Sequence, residues 1–87
     1  MNLTVKDSVS LAADVLDNSK FLNNKVCISI FPGTPSIFPV YEAIKGSAIH
    51  VGAQNVYAEV SGSFTGETSI AMIEEACDYL LVGHSER

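Results

Sequence analysis

The chain has 87 residues, which suits one small domain with a modest core. Its formal net charge is −5, and no basic cluster interrupts it, which excludes the phosphate-tracking surface that nucleic-acid binding requires. Hydrophobic residues make up 47% and charged ones only 17%; that argues against disorder and leaves part of the surface looking for cover, yet no apolar run approaches a membrane span.

In chain order, Thr4 is placed to cap a helix over about Thr4 to Leu16, with Asp7 three positions on. Val5, Val9, Ala12 and Leu16 fall at helical spacing, and Asn18-Ser19 and Asn23-Asn24 carry turn chemistry. The run Val26 to Phe31 has the length and flanks of a buried strand, ended by Pro32-Gly33. A second helix follows with Ser36 as its cap, since Pro39 is tolerable only in the first turn. Ile37, Phe38, Tyr41 and Ile44 form its expected inward face, and Gly46 stops it. Ala48 to Val56 reads as a second strand with a polar end. Tyr57 to Gly66 is a loop without apolar periodicity, and Glu67 to Ala76 a third helix with Ile70, Ile73 and Met72 inward. Asp78 to Gly83 is the third strand, and the chain closes on His84-Ser85-Glu86-Arg87.

Short strands alternating with helices imply right-handed crossovers and a parallel sheet. Such a sheet fits a Rossmann-like fold, a flavodoxin-like fold or part of a (β/α)8 barrel, and periodicity does not choose among them. No Gly-x-Gly-x-x-Gly or Walker pattern follows any strand. The amino terminus lacks the basic-then-apolar pattern of a signal peptide, so the cytoplasm is the expected compartment. Cys27 and Cys77 lie outside any metal or Cys-x-x-Cys spacing and are expected to be buried reduced thiols. His50, between Ile49 and Val51, reads as packing or surface, and Glu74-Glu75 as a solvated helix face.

Ligands of parallel α/β folds sit at the carboxyl ends of the strands. Those ends read Phe31-Pro32-Gly33, Gln54-Asn55 and Gly83-His84-Ser85-Glu86. By residue chemistry alone, His84 is either an acid/base group or a structural side chain. The string Val82 to Arg87 (Val-Gly-His-Ser-Glu-Arg) resembles the fourth-strand signature of triose-phosphate isomerases. Gly52 to Val56 (Gly-Ala-Gln-Asn-Val) is similar to their third strand, and Gly62 to Glu67 (Gly-x-Phe-Thr-Gly-Glu) to the long loop after it. Met72-Ile73, Pro35 to Phe38 and Met1-Asn2 match in the same order, so the resemblance is collinear over the whole chain. Two departures stand out: Leu3, where a small or polar residue is frequent, and a short turn at Ala76-Cys77-Asp78 without the common glycine.

The resemblance implies a partial (β/α)8 TIM barrel, three parallel strands with three helices, forming a fragment of a single domain. It implies the interconversion of dihydroxyacetone phosphate and glyceraldehyde 3-phosphate through an enediolate. His84 matches the family's catalytic histidine, with Glu86, Ser85 and Asn55 supporting it and Gln54 beside Asn55. Phe64, Thr65, Gly66 and Glu67 match the dimer loop, so the loop 57–67 would join a homodimer in the parent enzyme. No cofactor and no metal are implied. The family's lysine would precede Met1, and its glutamate base, lid and phosphate loops would follow Arg87. Since a complete barrel needs about 250 residues, the isolated chain is expected to be inactive and at best partly folded. The alternatives are a noncatalytic flavodoxin-like binding module complete at this length, or an assembly role for exposed sheet edges.

Overall fold

The first helix forms where the sequence places its cap. The Asp7 N–H donates to Thr4 Oγ1 at 3.2 Å, and α1 then runs Val5–Ser19, three residues beyond the expected end. Asn18 and Ser19 turn their side chains back on its last turns, donating to the carbonyls of Asp14 and Leu16, and the Leu16 carbonyl is one that a helix end otherwise leaves unpaired. Ala12 is buried, Val9 and Leu16 pack against the core, and Val5 remains exposed. The protein is described by a computed structural model covering residues 3–19, 26–59 and 61–82. The Asn23-Asn24 turn and the Met1-Asn2 match lie outside the described residues.

The remaining order is β1 (Ser29–Ile30), a 3-10 turn (Thr34–Ser36), α2 (Ile37–Ile44), β2 (His50–Ala53), α3 (Ile70–Ile73) and β3 (Tyr79–Leu80). The sheet order is β1-β2-β3, all parallel, with Ser29 opposite His50, Ile30 opposite Val51, Gly52 opposite Tyr79 and Ala53 opposite Leu80. Thus β2 is central, and β1 and β3 each keep an unpaired edge among the described residues. The elements alternate as expected; several extents and faces differ.

Strand 26–31 shortens to β1, with Val26 and Cys27 exposed rather than buried. The core cluster draws on α1, α2, α3 and β2, and its layer stops short of Val26 and Cys27. In α2, Ile37, Val40 and Ile44 are buried, Tyr41 is partly buried and Phe38 is exposed. Val40 replaces Phe38 on the inward face because Ile37, Val40 and Ile44 stand at i, i+3 and i+7, while Phe38 is turned about 100° from Ile37. Pro39 falls in the first turn, as expected, and Gly46 follows the helix end with φ +86°. Ser36 precedes α2 but forms no side-chain cap hydrogen bond.

The third helix is cut to one turn. Thr68 gives its carbonyl to the Tyr57 N–H at 2.7 Å, and Tyr57 bridges Ser69 in parallel, so this stretch is extended where helix was expected. Ile73 and Ala76 supply the inward face, and Ile70 and Met72 are exposed, at 55% and 61%. Glu74 and Glu75 are exposed, as a solvated face should be. In the short turn that follows, Cys77 donates to the Ile73 carbonyl and Asp78 to the Val51 carbonyl, at 3.1 and 2.8 Å. That places β3 directly on β2 without a glycine.

Candidate functional site

Parallel pairing delivers every strand end to one side of the sheet. β1 runs out into Phe31-Pro32-Gly33, β2 into Gln54-Asn55 and β3 into Leu81-Val82. The Leu81 N–H donates to the Ala53 carbonyl at 2.8 Å, so the β2–β3 ladder continues past β3. In that register residue 82 leaves the sheet level with Asn55. His84, Ser85 and Glu86 lie outside the described residues.

The mouth is braced between β1 and β2. Val51 and Ala53 belong to the core cluster, so the alternation of a strand sends His50, Gly52 and Gln54 to the other face. On that face the Phe31 ring covers Gly52 so closely that a β-carbon there would collide with it. Gln54 Nε2 donates to the Phe31 carbonyl at 2.8 Å. Gln54 is therefore committed to the neighbouring strand, and half-buried Asn55 stands beside it. The sequence reading missed this bracket, although a glycine inside a strand is the usual sign of a close approach.

The loop that leaves β2 carries Phe64, Thr65, Gly66 and Glu67, all exposed. The Glu67 N–H donates to the Phe64 carbonyl at 3.0 Å, closing a turn at the tip. Phe64 lies on Tyr57, with ring centroids 4.6 Å apart.

At the opposite end of the sheet, His50 Nδ1 and Asp78 Oδ2 are 2.9 Å apart, and the His50 ring meets Tyr79 edge to face. This agrees with a packing or surface role for His50 and sets it away from the polar mouth. A hollow of about 200 Å³ lies at that end, lined by Tyr41, Lys45, Ser47, His50 and Asp78 among others. The two cysteines are free thiols. Cys27 is exposed and Cys77 half-buried, which corrects the expectation that both are buried. Burial first, and the charge of Asp78 second, push the Cys77 thiol above its ordinary pKa. Among the described residues, no three His, Cys, Asp or Glu could hold a metal together, and no helix is long and apolar enough to cross a membrane.

Comparison with known proteins matches the sequence of this chain to a known family. The family model described as Triosephosphate isomerase matches residues 1–87. The chain is 40% identical over 88 residues to the triosephosphate isomerase of Prosthecochloris aestuarii and 43% identical over 88 residues to that of Endomicrobium trichonymphae. It is 42% identical over 88 residues to the enzyme of Clostridium botulinum strain Loch Maree. Each alignment covers 100% of this chain and 35% of the relative, so the chain spans about a third of the length of the curated relatives it matches. The parallel three-stranded sheet with its helices is consistent with the amino-terminal part of a TIM barrel. With a family match over its full length and a sheet of the matching kind, this chain belongs to the triosephosphate isomerase family.

Proposed function

We propose that the chain is a segment of a single TIM-barrel domain whose parent enzyme interconverts dihydroxyacetone phosphate and glyceraldehyde 3-phosphate through an enediolate. The observation that carries this is the family match over residues 1–87. The parallel register supports it, because it carries the chain out of β3 beside Asn55, two residues before His84. In this reading His84 donates a hydrogen bond to the oxygen on which negative charge develops. The neutral state of that histidine is already well known for this family and is carried over from it. Ser85 begins the short helix whose N–H groups face the imidazole, Glu86 pairs with the family's lysine, which would precede Met1, and Asn55 positions them. The loop 57–67, with Phe64, Thr65, Gly66 and Glu67, contacts a second subunit of a cytoplasmic homodimer. No cofactor takes part.

Three strands supply neither the carbon base nor the phosphate loops, so the isolated chain is inactive. A coupled isomerase assay, on material freed of host enzyme, tests both parts. The 87 residues alone should give no turnover. The chain extended by its flanking coding sequence should be active and should lose about 10²- to 10⁴-fold in kcat on His84→Gln, the usual worth of a positioned acid/base group. Activity of the 87 residues alone, or an extended enzyme indifferent to His84→Gln, refutes the proposal.

A further inference from the structure

We propose that Tyr57 is a positioning residue that ties the base of the loop at Thr68 and Ser69 to its tip at Phe64, so that the tip meets a second copy of the chain already shaped. The partner in this statement rests on the subunit-contact reading above; the internal hub does not.

One residue ties the loop at both ends. Through its backbone, Tyr57 closes the base: its N–H donates to the Thr68 carbonyl at 2.7 Å, and the two chain segments form a parallel bridge at Ser69. Through its ring, Tyr57 reaches the tip: it lies on Phe64 with centroids 4.6 Å apart and planes at 41°. Phe64 then fixes the tip in two directions. Its carbonyl accepts from the Glu67 N–H at 3.0 Å, and its ring covers Gly62, where an added β-carbon would sit 2.7 Å from Cε2. Gly62 also has φ +139°, a backbone state open to glycine, so the ring has a place to lie only because this position lacks a side chain.

These contacts run from base to tip within the loop itself. Phe64 is 41% exposed, yet it is held on Tyr57 and over Gly62. A merely solvated glycine-rich loop has no reason to bring the two rings together in this way. A loop ordered before contact loses less freedom on contact, which is how preorganisation raises affinity.

Proton NMR of the extended enzyme reads the hub directly, because Phe64 ring protons that lie against Gly62 give nuclear Overhauser cross-peaks to its α-protons. An aromatic pair changes the ordered population by about two- to tenfold. Tyr57→Ala should therefore weaken those cross-peaks, and Tyr57→Phe, which keeps the ring, should retain them while helix content stays constant in both. Absent Phe64–Gly62 cross-peaks in the unsubstituted enzyme, or cross-peaks of the same strength in Tyr57→Ala, overturn the proposal. Sedimentation of Thr65→Arg in the extended enzyme, whose sheet edges are paired, tests the partner separately, since Thr65 is exposed at the tip. Association weakened by Thr65→Arg and by Tyr57→Ala, but not by Tyr57→Phe, supports both statements. Association indifferent to Thr65→Arg, with the Phe64–Gly62 cross-peaks intact, removes the subunit contact and leaves the hub standing.

Discussion

Gly52 shows how much one absent side chain can organise. Its neighbours Val51 and Ala53 face the helices, and its own face is filled by the ring of Phe31, whose carbonyl Gln54 holds. Gly52→Ala should cost about 1–3 kcal/mol, the usual penalty for overpacking, read as a lower urea midpoint. Adding Phe31→Leu should recover part of that loss, because the coupling arises between the two side chains; equal and additive losses would show that the ring is not the obstacle. The cysteines make a second contrast. Cys27 is exposed, while burial and Asp78 raise the Cys77 thiol, so fewer Cys77 thiolates exist at neutral pH. Iodoacetamide followed by mass spectrometry should mark Cys27 first, and the Cys77 rate should keep climbing to a higher pH than that of an ordinary thiol. The cysteine contrast was not readable from the cysteine spacing, because exposure depends on which layer covers a strand.

At the scale of elements, apolar periodicity located the helices well and their faces less well. Helix α2 begins after Ser36 and ends before Gly46, as the turn residues foretell, yet its buried stripe includes Val40 and leaves out Phe38. Size and apolarity favoured Phe38; the angular position of the stripe favoured Val40. Helix α3 starts three residues later than expected because the Thr68 carbonyl pairs with Tyr57, an acceptor used by a residue eleven positions away in sequence. No local pattern reports such a competitor. The energetic consequence is specific. Ile44→Ala removes a fully buried side chain and should cost about 2–5 kcal/mol. Ile70→Ala removes one that is 55% exposed and should stay within about 0.5 kcal/mol. Unfolding in urea, followed by the helical circular-dichroism signal, separates them; similar shifts would restore Ile70 to the core.

For the whole molecule, the edges of the sheet govern behaviour. β1 and β3 are each paired on one side only among the described residues, and Tyr79, Leu80, Leu81 and Val82 are exposed next to one another. An unpaired strand edge beside apolar surface recruits other chains, and three strands do not close a barrel. The chain should therefore unfold over a broad urea range and sediment as concentration-dependent oligomers; a sharp two-state transition of a monomer would contradict this. The order of elements, the parallel class of sheet and the family were determined by the sequence alone, because turn residues, strand runs and the motifs at Gly52–Val56 and Gly62–Glu67 are local. Only the tertiary structure decided that Val40 is buried and Phe38 is not, that Gln54 serves the Phe31 carbonyl, and that Tyr57 joins both ends of its loop. The last two depend on partners outside the local pattern, and the first on which of two possible stripes of α2 meets the core, so packing in three dimensions settles all three.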